Sequence, residues 1–307
     1  MQKIYSLSKN FTGWLLFILI SVIWGSSFIL MKIGLQTLTA YQVAAIRILS
    51  ACIVLLPFAW SAFRNVEKKK MPLVILSGLL GSFFPAFLFC IAETRISSSL
   101  TAILNSLTPM FAIIAGVSFF GLKAGTQKII GVLIGFVGLV LLPFAAQTGI
   151  DFKDVQYSLL VLIATICYAL NVNMVNRYLH NTPSLQIASL AFSFLLLPAL
   201  IILIATGYFN LPLLTGKYLQ STLAAATLGT IGTAIASVLF YMLLKQTGVL
   251  FTSLVTYAIP VVAVMWGLLS GESITLAQVG CLAIILAGVY LVNKKEKIIG
   301  PAEEVLL

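Results

Sequence analysis

Charge is scarce in this sequence: 8% of its 307 residues are Asp, Glu, Lys or Arg, against roughly 25% in a soluble globular domain. A surface so poor in charge cannot face water, which excludes a soluble fold. Acid is scarcer still. Asp and Glu total eight, at Glu67, Glu93, Asp151, Asp154, Glu272, Glu296, Glu303 and Glu304, all in predicted loops, tails or span ends. The single histidine, His180, falls in a predicted inside loop. The chain therefore lacks the mid-membrane carboxylates and imidazoles from which proton relays are built. The four cysteines, Cys52, Cys90, Cys167 and Cys281, lie in separate apolar stretches with no CxxC spacing, so neither a disulfide framework nor a zinc site is expected. A Walker A lysine, a GxSxG elbow and a His/Asp cluster are missing too. An ATP-driven pump or a hydrolase is hard to build from these residues, and no cofactor or metal is expected.

Apolar residues, in contrast, make up 61% of the chain and come in blocks. Ten nearly charge-free stretches, at 13–33, 41–60, 72–92, 98–119, 127–145, 155–176, 184–206, 219–243, 248–270 and 275–293, each match the ~20 residues that a helix needs to cross hydrocarbon. They leave no room for a soluble catalytic domain. The net charge of +10 fits the same frame. With the N-terminus inside, thirteen basic residues fall on inside segments: Lys3, Lys9, Arg64, Lys68, Lys69, Lys70, Lys123, Lys128, Arg177, Lys245, Lys294, Lys295 and Lys297. Four, Lys32, Arg95, Lys153 and Lys217, fall outside, and Arg47 lies within a span. This positive-inside bias predicts a multi-pass protein of an inner (plasma) membrane with both termini cytoplasmic, 1–12 and 294–307 being the tails. No aromatic interleaving accompanies the basic clusters, so they read as topology anchors and nucleic acid is not an expected partner. Lys3 and Lys9 imitate the start of a signal peptide, but the apolar run continues to Lys32 without a small-residue cleavage site, so the span is expected to be retained.

The chain repeats itself. Sliding 78–116 onto 229–267, an offset of 151, matches Gly78 to Gly229, Gly81 to Gly232, Leu88-Phe89 to Leu239-Phe240, Thr101 to Thr252, Pro109 to Pro260, Ala112 to Ala263 and Gly116 to Gly267. Three glycines and a mid-span proline carry this match, not the apolar columns. Around the first and sixth spans an offset of 144 sets Trp24 against Tyr168. Two units of five spans follow, 13–145 and 155–293. Because five is odd, the second must enter the membrane from the opposite side. The expected fold is all-α and integral to the membrane: ten transmembrane helices in two inverted five-helix repeats around a central cavity. Such an inverted-topology repeat is a basis for alternating access. Small-residue stripes at Gly78, Gly81 and Pro85, at Gly229, Gly232 and Ala236, at Gly131, Gly135 and Gly138, and at Gly280, Ala283 and Ala287 predict close helix packing.

These features together resemble the EamA-like families of the drug/metabolite transporter superfamily. The likeness rests on Trp24-Gly25-Ser26-Ser27-Phe28 with Lys32, on Arg47, on Leu104-Asn105-Ser106-Leu107-Thr108-Pro109, on Tyr257-Ala258-Ile259-Pro260, and on Gly271-Glu272 with Gln278, Gly280 and Gly288. It covers nearly the whole chain and implies ten helices in two inverted repeats around a central cavity, moving amino acids, other small metabolites, sugars or drugs, often outward. Two features depart from the pattern: Leu122-Lys123 stand where a glutamate is expected after Gly121, and Thr39-Ala40-Tyr41 lacks the usual proline.

Pro109 and Pro260 fall about 11 and 12 residues into their spans, near mid-depth at 1.5 Å per residue. A helix-interior proline frees the carbonyl four residues earlier, here those of Asn105 and Thr256. In lipid a freed carbonyl is tolerated only against protein or a water-filled cavity. The expected solute site therefore gathers Asn105, Ser106, Thr256 and Tyr257 with Trp24, Ser27 and Asn171, with Pro109 and Pro260 as helix breaks; a purely structural kink is the alternative. Asn173 is also placed toward the solute, and Lys32 and Lys245 are expected to snorkel. Arg47 has two readings, a partner for an anionic solute group or a structural arginine bonded to a neighbouring helix. The expected function is a secondary transporter of a small metabolite, an amino acid or similar, directed outward. The alternative from another class is a membrane-embedded enzyme or lipid-handling protein acting on an apolar substrate. Expected partners are the solute and membrane lipid, with monomer and homodimer both open.

Overall fold

The computed structural model describes residues 2–121, 125–141, 145, 152–240, 242, 243, 246, 255–271 and 274–293. All regular structure among them is helical. In chain order the elements are α1 (Gln2–Gly34), α2 (Ala40–Asn65), α3 (Met71–Gly78), α4 (Phe84–Ala92), α5 (Ser98–Asn105), α6 (Thr108–Phe120), α7 (Thr126–Leu141), α8 (Phe152–Tyr178), α9 (Ser184–Ala205), α10 (Gly216–Gly229), α11 (Val255–Leu269) and α12 (Leu276–Asn293).

Among the described residues, seven helical segments are long and apolar enough to cross a membrane: Thr12–Gly34, Ala40–Asn65, Lys68–Ala92, Ser98–Phe120, Val155–Tyr178, Ser184–Ala205 and Gly216–Phe240. This is a multi-pass membrane protein. The spans predicted at 127–145, 248–270 and 275–293 coincide with shorter apolar helices, Ile129–Gly138, Ala258–Leu269 and Leu276–Gly288. Residues 142–144 and 248–254 of those spans, like Lys123, Lys245 and Gln147, lie outside the described residues. Apolar side chains cover the outside as well as the core: Trp60, Phe119, Leu133, Leu197 and Met265 are all exposed, as lipid-facing residues must be.

Helix ends are set by local chemistry. Thr39 opens α2 with a capping box, its hydroxyl accepting from Gln42 N at 3.3 Å while Gln42 Oε1 accepts from Thr39 N at 3.0 Å. That box does the work of the proline missing there. Gly121 closes α6 in the left-handed region with φ of 69°, a conformation that costs glycine nothing.

The ends of the elements gather at two poles. At one, Gln42 Nε2 donates to the Thr206 carbonyl, Ser221 Oγ to the Ile33 carbonyl, and Lys32 Nζ to the Glu93 carbonyl at 3.1 Å. At the other, Val66, Phe120 and Leu179 meet in one apolar cluster, and Arg177 Nη1 donates to the Phe120 carbonyl. Lys32 is therefore tied to a neighbouring helix end. Glu93 sits at the end of α4 as expected, but it is buried, not loop-exposed.

Packing between helices pairs equivalent positions. α2 packs on α9 and α7 on α12, α1 packs on α11 as α8 does on α6, and α1 packs on α10 as α8 does on α4. On α12 the close-packing face is not Gly280, Ala283 and Ala287, which are exposed. Cys281, Ile285 and Gly288 face inward, and a β-carbon on Gly288 would overlap the backbone of Gly135 and Gly131. The predicted stripe missed by one position, because the true face starts one residue later.

Candidate functional site

Two helices widen by one residue within the bundle. Leu79–Phe83, between α3 and α4, and Thr230–Ile235, after α10, are π-helical. The 151-residue offset carries the first onto the second. Single π turns inside α-helices recur at functional sites. They were not anticipated from the sequence; the signal was present in the matched glycines, read only as a packing stripe.

Each π segment receives a polar residue from a helix of the other half. A β-carbon on Gly81 would overlap the Asn171 amide, and one on Gly232 would come within 2.8 Å of Ser27 Oγ. The 144-residue offset carries Ser27 onto Asn171. One turn away the relation recurs: Gly78 packs on the Ala191 backbone of α9 and Gly229 on the Arg47 carbonyl of α2, and the same offset carries Arg47 onto Ala191.

Between the two π segments lies a cavity of about 180 Å³. α1 contributes Trp24, Ser27, Phe28 and Met31, α2 Arg47, and the first π segment with α4 Gly81, Ser82 and Phe89. Asn105 and Thr108 flank the α5–α6 junction, and α8 adds Tyr168, Asn171 and Val172. The second half closes it with Gly232, Thr233, Ser237, Phe240, Thr256 and Ile259. The structure thus brings together Trp24, Ser27, Asn105, Asn171 and Thr256 from the predicted site, with Arg47 beside them.

Ser106 is not among them. It is fully buried, and its hydroxyl donates to the Ile103 carbonyl at 2.6 Å, because it sits on the turn between α5 and α6 and points back along α5. Asn173 is turned away as well: its amide donates to the Ala112 and Ala169 carbonyls at 2.7 and 2.8 Å, tying α8 to α6. The side chain of Tyr257 lies outside the described residues. Pro109 and Pro260 behave differently from each other. Pro109 stands in the first turn of a new helix after the break at Ser106-Leu107, where its missing N–H costs nothing. Pro260 lies inside α11, which runs without interruption from Val255 to Leu269. The Asn105 carbonyl is not left open to the cavity either, since Thr108 Oγ1 donates to it at 2.7 Å.

Polar contacts fix the walls. Trp24 Nε1 donates to the Gly232 carbonyl at 3.0 Å. Arg47 Nε donates to Thr233 Oγ1 at 2.8 Å. Trp24 and Phe240 pack with ring centroids 5.0 Å apart, and Phe89 stacks on Tyr168 at 6.0 Å. Asn171 Oδ1 is buried with no hydrogen-bond partner. Such a group costs roughly 1–3 kcal/mol until something donates to it. Among the described residues no group of three or more His, Cys, Asp or Glu could hold a metal ion. The arrangement can hold a small solute between aromatic walls and neutral polar groups, and the described lining residues include no nucleophile–base pair.

The model of the EamA-like transporter family matches the chain twice, over residues 11–144 and 156–294. A protein of Archaeoglobus fulgidus described as an uncharacterized transporter is 26% identical over 92% of this chain and 99% of its own length. A protein of Escherichia coli K12 described as the uncharacterized inner membrane transporter YedA is 25% identical over 89% of this chain and 87% of its own. A probable amino-acid metabolite efflux pump of Salmonella typhimurium is 23% identical over 89% and 92%. A solved crystal structure, 17% identical, superimposes with a TM-score of 0.62 over 90% of this chain and 94% of its own, a likeness of fold alone. With both halves of the chain matched by one family model, the protein belongs to the EamA-like transporter family.

Proposed function

We propose that the protein is a secondary transporter that exports a small metabolite, an amino acid or a similar solute, across the inner membrane by alternating access. Its ten spans form two inverted five-helix repeats, with both termini cytoplasmic. The observation that carries this reading is the cavity between the two π segments, because its walls come from both halves through repeat-matched contacts. Where Ser27 meets Gly232 in one half-interface, Asn171 meets Gly81 in the other. Exchanging the conformations of the two halves then closes one side of the cavity and opens the other.

Two poles of helix ends support the inverted arrangement, since successive spans must run in opposite senses to bring residues 66, 120 and 179 together. Amino-acid export is supported by the described role of the Salmonella relative. The solute binds at Trp24, Asn105, Asn171 and Thr256, with Ile259 closing the α11 side. The protein moves its solute without transforming it. Reconstituted into liposomes loaded with a labelled amino-acid mixture, it should release label unchanged and faster than protein-free vesicles. Release no faster than the protein-free control, or label recovered as a new compound, would refute the reading.

A further inference from the structure

The polar lining of the cavity is asymmetric. Arg47 of α2 lines it, whereas the residue that the 144-residue offset sets opposite, Ala191 of α9, carries no charge. Among the described lining residues Arg47 is the one charged side chain, and the other polar groups are neutral hydroxyls, amides and an indole. Glu93 and Arg47 both act electrostatically on Cys90, but Glu93 does not line the cavity. The cavity therefore presents a fixed positive charge inside the membrane, where charge is costly and marks function.

The guanidinium is oriented from the other half. Arg47 Nε donates to Thr233 Oγ1 at 2.8 Å, and the Thr233 hydroxyl gives its own proton to the Leu228 carbonyl, five residues earlier, at 3.1 Å. A five-residue reach is the π register, so the turn that widens the helix also sets the acceptor for Arg47. A guanidinium has five N–H donors in a flat fork. With Nε held by Thr233, the terminal nitrogens remain for the cavity. Terminal nitrogens are the part of the fork that grips a carboxylate side by side.

Two more features bound the ligand. The buried Asn171 Oδ1 calls for a donor. The volume of about 180 Å³ is slightly above that of an engineered cavity of about 150 Å³ that holds benzene, so the body between the aromatic walls is compact.

Resting on the reading of this cavity as the solute site, we propose that it is an anion-selective subsite. The protein takes small organic acids, with a carboxylate on Arg47, a donor group toward Asn171 and an apolar or aromatic body between Trp24, Phe240 and Phe89, and it rejects organic cations. Amino acids qualify through their carboxylate. Thr233 is a positioning residue that acts through Arg47.

The test needs no known substrate. On a background with Cys52, Cys90, Cys167 and Cys281 replaced, Ser82→Cys sets one thiol on the cavity wall. The reconstituted protein is treated with sulfonatoethyl, trimethylammonioethyl and hydroxyethyl methanethiosulfonate, which are anionic, cationic and neutral. Each rate is divided by that reagent's rate with 2-mercaptoethanol. The anionic reagent should react about tenfold faster than the cationic one, an effect of the size that one fixed charge on the same cavity wall can supply, and Arg47→Gln should bring them within about twofold. Thr233→Val keeps the charge but releases the fork, so the ratio should fall to an intermediate value and return with Thr233→Ser. Should Arg47→Gln fail to fold, the Thr233 pair decides by the same ratio. Modification by the neutral reagent with no charge preference, or a preference that survives Arg47→Gln, overturns the anion subsite and leaves the cavity as a solute site. A thiol that even the neutral reagent cannot reach overturns the cavity reading, and the subsite with it.

Discussion

Asn171 packs so closely on Gly81 that a β-carbon there would overlap its amide. Gly81 lies in a π segment of the first half, and Asn171 on α8 of the second. The same contact, made by Ser27 and Gly232, joins the halves in the other sense. These are two of the places where the halves touch beside the cavity, and the proposed movement of one half against the other has to slide them. A bare backbone allows that; a side chain would lock or wedge it.

Gly81→Ala should therefore impair flux more than stability, because the group it meets is the end of a two-torsion side chain that can swing aside. Gly229→Ala is the opposite case. Its β-carbon would meet the Arg47 backbone carbonyl, which cannot move without displacing α2, so the cost should reach roughly 1–3 kcal/mol of overpacking. Gly280 has nothing within 4 Å of the corresponding position, and Gly280→Ala should leave thermal stability in detergent unchanged or slightly raised. Thermal melts and liposome flux on the three variants check the order. Equal melting temperatures for Gly229→Ala and Gly280→Ala would contradict it.

Removing cavity polar groups should reduce flux with little loss of folded protein. Asn105→Ala and Asn171→Ala each delete a polar group that lines the cavity, worth roughly 1–3 kcal/mol, a roughly five- to 140-fold change at about 1.4 kcal/mol per tenfold. Ser106→Ala serves as the contrast, since its hydroxyl serves only the Ile103 carbonyl. If Ser106→Ala lowers flux as strongly as Asn105→Ala, the assignment of these residues is inverted.

How much of this was legible beforehand follows from the kind of signal each residue leaves. The spans were readable because lipid tolerates few charges, and Trp24, Ser27, Asn105, Asn171 and Thr256 meet in the cavity because polar residues are rare enough in such helices to stand out. Ser106 could not be separated from Asn105 by depth alone, since the break at Ser106-Leu107 rotates one toward the cavity and the other into the bundle. The π segments leave no composition of their own. Matched glycines mark where a backbone is approached, not how the helix accommodates the approach. The Gly280 stripe failed for a related reason: small residues line lipid as comfortably as they line a helix contact.

Orientation can be read from single cysteines. Asn65 and Asn210 are both exposed at element ends, and the charge bias puts the first inside and the second outside. On the cysteine-free background in intact cells, an impermeant thiol reagent should modify Asn210→Cys and Gln147→Cys and spare Asn65→Cys until the cells are opened. The reverse pattern would invert the topology of every span.

The α5–α6 break gives the sharpest separation between the expected and the observed role of a proline. Expectation placed the strain at Pro109, freeing the Asn105 carbonyl into the cavity. In the structure that carbonyl accepts from Thr108 Oγ1 at 2.7 Å, and Pro109 occupies the first turn of α6, where no N–H is needed. Thr108→Val keeps the shape of the side chain but removes the donor, leaving the carbonyl of half-buried Asn105 without that partner. It should lower stability by roughly 1–3 kcal/mol. Pro109→Ala should be nearly neutral in equilibrium stability, because alanine fits the same backbone and loses only the pre-set φ. Its effect should fall on the rate of turnover, since a helix able to run straight through Ser106-Leu107 weakens the break that lets α5 and α6 move separately. Denaturation midpoints and single-turnover flux on the two variants decide the point. A Pro109→Ala protein that loses more stability than Thr108→Val would return the break to the proline, and with it the open carbonyl.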